Sequence, residues 1–412
     1  MREQIKEEKR YLQDLLVQRM NLERELTDEE IREQIEEEIL ERSGQVYLSL
    51  NEKQQLKKEL FNSLRRLDII SALLEDEEIS EIMINGADSI FIEKKGRILP
   101  VAETFFSEER LRNVIQQIVS GCNRIVNETV PIVDARLDDG SRVNVVLPPV
   151  ALNGPVMTIR KFPKAFFTMD RLVEMDSISR EAAEFLAMLV RARYNIFISG
   201  GTGSGKTTFL NVLSGFIPPE ERVITIEDSA ELQLQGLPNL VRMETRNANV
   251  EGENVITMSH LIKTALRMRP NRIVIGEVRD SAAMDMSQGF LSGHDGGLST
   301  GHGNSPREML LRLETMILMG YDMPVLAIRQ QLASAIEIMV HLGRLRDNSR
   351  RVLEISEVLG VEDGVIALHP LYRFHEEGER EGRIVGRLKR EDGLVRREKA
   401  ERLCGNREYA KN

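Results

Sequence analysis

The spacing of apolar positions changes along the chain, and each change marks a different kind of structure. Over residues 1–70, Leu12, Leu15, Leu16, Leu22 and Leu26, then Ile31, Ile35 and Ile39, then Leu56, Leu60 and Leu64 recur at helical intervals among charged residues. Thr27 with Glu30, and Ser49 with Glu52, carry the pattern of a capping box that opens a helix. The front of the chain is therefore predicted to be helical, as a small bundle or an extended arm. Either form serves as a solvated scaffold or as a docking module for a partner or neighbouring subunit.

From 71 the runs shorten and alternate. Glu81-Ile82-Met83-Ile84-Asn85-Gly86 and Ser89-Ile90-Phe91-Ile92-Glu93 predict strands, and Lys94-Lys95-Gly96-Arg97 a turn into Ile98-Leu99. Leu111, Val114, Ile115 and Ile118 place a helix over 107–121. Residues 131–137 and 142–147 flank the turn Asp138-Asp139-Gly140, a hairpin signal, and 156–160 adds another strand. These residues, 71–162, predict a small α/β domain.

A linker and first helix are expected from Pro163 to Asp176, then a helix over 179–193. From 195 strand and helix patterns alternate: 195–199, 206–214, 223–227, 255–268, 272–276, 280–292, 297–301 and 306–319. That alternation predicts an open sheet with crossover helices, and the domain is assigned to 163–375. Further helix and mixed strand follow 324. The charge-dense stretch 376–412, with Gly378, Gly382 and Gly386, is expected to be a mobile or partly helical tail.

Composition narrows the picture. The 412 residues are 41% hydrophobic and 30% charged, enough for more than one globular core. A net charge of −10 disfavours a surface built for nucleic acid, and with no tryptophan and 5% aromatics there are few stacking platforms for single strands. Cys122 and Cys404 match neither a disulfide framework nor a zinc site, which suits a reducing compartment. No stretch is long and apolar enough to span a membrane, so any membrane association is expected through a partner.

The chemistry concentrates after one apolar run. Asn195-Ile196-Phe197-Ile198-Ser199 leads into Gly200-Gly201-Thr202-Gly203-Ser204-Gly205-Lys206-Thr207-Thr208 and then Phe209-Leu210-Asn211-Val212-Leu213. This is the G-x-x-x-x-G-K-[ST] pattern between strand and helix, where glycines let backbone N–H groups converge on phosphates at a helix N-terminus. It predicts binding of a nucleoside triphosphate through Gly201, Thr202, Gly203, Ser204, Gly205, Lys206, Thr207 and Thr208. Lys206 would reach the β/γ-phosphates, and the Thr207 hydroxyl would serve Mg²⁺.

Two further apolar strands end in carboxylates. Val223-Ile224-Thr225-Ile226 runs into Glu227 and Asp228, with Glu231 beyond, and Ile273-Val274-Ile275-Gly276 runs into Glu277. Carboxylates at such strand ends hold Mg²⁺ through water or orient the attacking water, and they also occur as mere solvated caps. Gly276 stands where many P-loop enzymes carry a metal-binding Asp, which would shift metal duty to Thr207, waters and the region of Glu227. His294 and His302 follow in small, polar surroundings, where an imidazole could sense a phosphate or bridge to a carboxylate.

Gly200–Thr208, Ile226-Glu227-Asp228-Ser229-Ala230-Glu231-Leu232, Leu266-Arg267-Met268-Arg269-Pro270 through Glu277-Val278-Arg279, and Gly293-His294-Asp295 through His302 and Asn304-Ser305-Pro306 occur in that order. Together they resemble the type II/type IV secretion ATPase superfamily. The resemblance is nearest to the CpaF-like branch that powers Flp-type (tight-adherence) pili; Glu81–Gly86 and Asp134-Ala135-Arg136 through Gly140-Ser141-Arg142 fit that branch. The paired-cysteine zinc module of some type II relatives is lacking, which points to Flp-type or conjugation-type branches.

The resemblance implies an α/β protein, with a RecA-like P-loop ATPase domain preceded by a smaller, PAS-like α/β domain and an N-terminal helical region. It implies a homo-hexamer in the cytoplasm, peripheral to the inner face of the cell membrane, bound to an inner-membrane platform protein of a pilus or secretion machine. ATP and Mg²⁺ are the implied ligands. In such families ATP sits between the two domains, and arginines of the smaller one complete the site: Arg136 and Arg142 here, with Arg160 third. A water oriented by Glu277 or Glu227 would attack the γ-phosphate. Glu277 is favoured because its strand is expected beside the P-loop strand. Rival readings are a conjugation-type motor for DNA or effector proteins and a nucleotide-gated scaffold with little hydrolysis.

Overall fold

The structure, a computed structural model, describes residues 8, 11–12, 15–16, 28–65, 69–105, 107–122, 124–162, 167–246 and 255–404. Thr27 and the expected capping box on it lie outside them, as do Leu22, Leu26 and the start of the linker at Pro163. The chain divides into two compact units, residues 1–165 and 166–412.

In the first unit the front of the chain is a small bundle and not an extended arm. Helices Asp28–Ser43 and Leu50–Arg65 bury Ile31, Ile35, Ile39, Leu56 and Leu60 against Leu12 and Leu16. The second helix opens as its sequence requires: Ser49 Oγ accepts from the Glu52 N–H at 3.4 Å while Glu52 Oε2 accepts from the Ser49 N–H at 2.8 Å.

Behind the bundle lies an antiparallel six-stranded sheet in the order β3-β2-β1-β6-β5-β4. Its strands are β1 (Ile79–Asn85), β2 (Ile90–Lys94), β3 (Arg97–Pro100), β4 (Ile132–Arg136), β5 (Arg142–Val146) and β6 (Val156–Arg160). Helix Glu108–Gly121, capped by Ser107, buries Leu111, Val114, Ile115 and Ile118 with Ile82, Val143, Val145, Met157 and Ile159. Alternation leaves the other set of side chains on β4, β5 and β6 outside this core.

The second unit is built on a nine-stranded sheet, β15-β14-β13-β12-β7-β11-β10-β8-β9. The strands are β7 (Ile196–Gly200), β8 (Val223–Glu227), β9 (Leu240–Glu244), β10 (Arg272–Ile275), β11 (Leu298–His302), β12 (Ile338–Arg344), β13 (Arg350–Glu362), β14 (Val365–Arg380) and β15 (Arg383–Arg390). From β12 to β9 every neighbouring pair is parallel; β12 to β15 are antiparallel. Helices cover both faces, so β7 is buried throughout. Ile196 and Ile198 pack with helices Arg180–Arg191 and Lys206–Ser214, while Phe197 points into the opposite core with helices Ala282–Leu291 and Pro306–Leu318.

Two expectations are corrected here. The stretch after 376 carries the expected helix over Glu398–Cys404 but is not a mere tail: β14 runs on to Arg380 and pairs with β15, while the residues after Cys404 lie outside the described ones. Ile384, Leu388, Leu394 and Ala400 are buried, so alternating apolar residues outweigh the charge between them. Nor does the strand of Glu277 lie beside the P-loop strand, because β11 sits between β7 and β10. The half-buried β9 carries too little apolar signal to be predicted.

Candidate functional site

Because β7 to β12 run parallel, their C-terminal ends share one edge of the sheet, and the residues with chemistry collect there. The loop after β7 turns on Gly203 (φ 71°) and Gly205 (φ 93°), conformations that glycine alone takes without strain. Ser204 Oγ closes the turn on the Gly201 carbonyl at 2.8 Å. Helix Lys206–Ser214 begins immediately, so the first-turn N–H groups point out of the loop.

Lys206 is folded into the loop it would serve. Its Nζ donates to the carbonyls of Gly200 (3.1 Å) and Gly201 (3.0 Å) and approaches Nδ1 of His302 at 3.3 Å. Burial pushes the ammonium below the ordinary lysine range, and Glu277 opposes that shift. His302, at the end of β11, faces Glu277 on its other side, Nε2 to Oε1 3.0 Å. Lys206 donates at Nδ1, so the neutral ring carries its proton on Nε2. Burial lowers the His302 pKa, against the pull of Glu277, which keeps the ring neutral between its two charged neighbours.

Glu277 completes the series. Its Oε2 accepts from Arg279 at 2.8 Å, and Arg279 also reaches Asp228 at 3.5 Å. Oε1 is buried and makes no hydrogen bond among the described residues, with His302 Nε2 as its near neighbour at 3.0 Å. The strand interposed between β7 and β10 thus supplies the imidazole that joins the loop lysine to the carboxylate.

Glu227 is used differently. It is 2% exposed, and Oε2 accepts from the N–H groups of Glu231 (2.6 Å) and Leu232 (2.8 Å), holding the turn after β8. Burial raises its pKa, partly offset by those two donors. A Cβ on Gly276 would stand 2.9 Å from Glu227 Cγ, so the glycine makes room for this side chain. Neither Glu227 nor Glu277 lines the cleft at the loop, which has a volume of about 400 Å³ and is walled by Gly201, Thr202, His302, Gly303, Asn304, Glu308 and Arg312. Thr207 and Thr208 lie half-buried in the first helical turn. His294 is removed from the series and contacts Ser292 at 3.0 Å.

Sequence reasoning missed several participants. His341 of β12 is buried, with Nδ1 2.9 Å from Ser199 Oγ, directly beneath the loop. Arg350 at the start of β13 donates from Nε to the Gly203 carbonyl at 2.8 Å. Arg312 lies one helical turn beyond Glu308 in the cleft wall. None sits in a motif, and only the pairing of distant strands brings them together.

In the first unit, register gathers the arginine candidates. Arg136 pairs with Arg142 across β4 and β5, Arg142 with Arg160 across β5 and β6, and Arg160 with Glu81 across β6 and β1. Arg136 donates to the Gly140 carbonyl at 3.2 Å and lies over the Phe162 ring. Like charges placed directly opposite repel.

The fold and the loop geometry define a P-loop α/β protein. The chain belongs to the type II/IV secretion system protein family, whose model matches residues 64–384. It is 32% identical over 327 residues to a putative conjugal transfer protein of Mycobacterium tuberculosis, covering 74% of this chain and 92% of that one. The type IV secretion system protein PtlH of Bordetella pertussis is 30% identical over 315 residues, covering 70% and 93%. Among solved structures, the Legionella pneumophila ATPase DotB shares the fold at TM-score 0.50 and 20% identity, covering 72% of this chain and 80% of its own. The pilus retraction motor PilT with bound ADP does so at TM-score 0.50 and 18% identity, covering 82% and 87%. No helix among the described residues is long and apolar enough to cross a membrane.

Proposed function

We propose that this chain is a Mg²⁺-dependent ATP hydrolase acting as the motor of a pilus-assembly or secretion machine, in the CpaF-like, Flp-pilus branch of its family. The observation that carries the proposal is the continuous series Lys206, His302, Glu277, which links a phosphate-binding loop to a strand-end carboxylate through one neutral imidazole. On this reading the second unit is a RecA-like motor domain and the sheet of the first is PAS-like.

The residues fit a magnesium nucleotide. Gly203 and Gly205 hold the loop open for a phosphate chain, and the hydroxyl of Thr207 and the carboxylate of Glu277 are hard oxygen donors. Magnesium bound by Thr207 and the phosphates would neutralise charge developing on the transferred phosphoryl group. Lys206 would exchange its two carbonyl partners for phosphate oxygens. The carboxylate of Glu277 would orient the attacking water, and His302 would register the phosphate through the lysine it already contacts. The arginine row would supply charge compensation when the motor assembles as a homo-hexamer. Its partner would be a platform protein of the inner membrane, with the motor on the cytoplasmic side.

Phosphate release per protomer, measured against protein concentration with Mg²⁺-ATP, tests this. A steep rise with concentration is expected of a site completed by assembly, and Lys206→Ala should abolish turnover and weaken nucleotide binding. Tight ATP binding with no release at any concentration would favour the scaffold reading. The names of the curated relatives favour a second reading, a conjugation-type motor, and stimulation of hydrolysis by DNA would select it.

A further inference from the structure

We propose that the β12–β13 hairpin, through Arg344 and Arg350, forms the nucleoside-end wall of the P-loop site and gives it its preference for a nucleotide over an inorganic polyphosphate. The inference rests on the P-loop reading above and extends it to the half of the ligand that the loop itself does not recognise.

The P-loop strand has two neighbours, and they bring different chemistry to it. On one side β11 and β10 end in His302 and the approach to Glu277, where a terminal phosphate would lie. On the other side β12 pairs Leu342 with Gly200, and a Cβ on Gly200 would stand 2.5 Å from the Leu342 carbonyl oxygen. The hairpin is therefore seated by backbone contact on the root of the loop. A triphosphate whose last phosphate faces His302 points its nucleoside toward this second flank.

Arg350 is placed to meet it. Its Nε is fixed on the Gly203 carbonyl at 2.8 Å, and its Cδ would lie 3.6 Å from a Cβ on Gly205, so the exposed guanidinium stands beside the middle of the loop. Arg344 is its direct cross-strand partner. Among the described residues neither has an acidic partner, although two arginines in this register repel each other. The neighbouring arginines are committed elsewhere: Arg346 binds Glu376 through both terminal nitrogens, and Arg351 donates to the Ile384 carbonyl.

The hairpin is also held rigidly. Asp347 accepts from the N–H and hydroxyl of Ser349 and from the N–H of Ile384 on β15. Burial opposes ionisation there, but these donors bring its carboxyl down to about 2. A planar cation in a fixed position can stack on a base or fork onto ribose oxygens.

The test is calorimetric binding of ADP and of inorganic tripolyphosphate to the full chain, with Arg350→Ala, Arg344→Ala and Lys206→Ala. Arg350 is exposed, so the variant should melt with the unaltered chain. Arg350→Ala should weaken ADP about tenfold and change tripolyphosphate less than about twofold, with Arg344→Ala following the same pattern more weakly. Lys206→Ala should weaken both ligands. Equal weakening of both ligands by Arg350→Ala would reduce the residue to a brace for the Gly203 carbonyl and overturn the inference, as would no change in either. An unaltered chain that binds neither ligand would overturn the P-loop reading itself.

Discussion

Glu227 and Glu277 end neighbouring parallel strands, β8 and β10, and in the sequence they look alike: an apolar run, then a carboxylate. Their surroundings separate them. Glu227 is buried and gives Oε2 to two backbone N–H groups, while its Oε1 has no hydrogen bond among the described residues. Glu277 keeps its side chain 18% exposed, and its charged neighbours are Arg279 and, through His302, Lys206. Each keeps one buried oxygen without a hydrogen bond among the described residues, so what sets Glu277 apart is its partial exposure and its contacts with Arg279 and His302, where Glu227 holds backbone.

The contrast can be broken by substitution. The largest effect should come from Glu277→Gln, which is expected to lower ATP turnover about 10²- to 10³-fold while ADP affinity stays within about twofold. Single-turnover phosphate release beside equilibrium ADP binding checks it, and retained turnover would transfer the water-orienting role to Glu227. Next is Glu227→Ala, which strands two backbone donors and should cost about 2–4 kcal/mol of stability in denaturant titrations.

Gly276→Ala comes third. Its new methyl would meet Glu227 Cγ at 2.9 Å, at a cost of about 1–3 kcal/mol. Combined with Glu227→Ala, the loss should fall below the sum of the two, because the colliding side chain is gone. A strictly additive pair would show that the glycine is not there to accommodate Glu227.

Glu227→Gln should have the smallest effect, since an amide oxygen can still accept both N–H groups. It should also move with pH. Burial raises the Glu227 pKa, so the native state holds a proton that the unfolded chain has already released. The stability that this proton contributes is complete below the ordinary carboxylate pKa and is lost as pH rises through the raised one. Measured across that window, the glutamine variant should gain on the unaltered protein with rising pH. A constant difference would mean that Glu227 is ionised in both states.

Much of this was legible in the residues themselves. The P-loop needs its glycines at fixed positions, the strands from β1 to β11 other than β9 follow from their apolar runs, and Ser107, Ser179 and Ser305 cap helices where the sequence expects helices to begin. What the sequence does not carry is order across a sheet. The place of β11 between β7 and β10 decides that His302 mediates between Lys206 and Glu277, and no local pattern encodes it. Arg350 and Gly203 are 147 positions apart, and Ser199 and His341 are 142 apart. Their meeting depends on β12 choosing β7 as its neighbour. The arginine row is likewise a matter of register, which fixes side-chain neighbours only once strands have paired.

The end of the described chain bears on how the protein can be trimmed. Beyond Arg390 the backbone returns to the sheet, where Glu357, itself 1% exposed, accepts from the N–H groups of Val395 (2.7 Å) and Arg396 (2.8 Å), and Tyr194 donates to the Arg396 carbonyl. Tyr194 stands just ahead of β7. A shortened version ending near 376, as charge density alone would suggest, would leave a buried carboxylate without its donors and bare the flank of β14. Such a fragment would be expected to aggregate or be degraded, and its lack of activity would say nothing about catalysis.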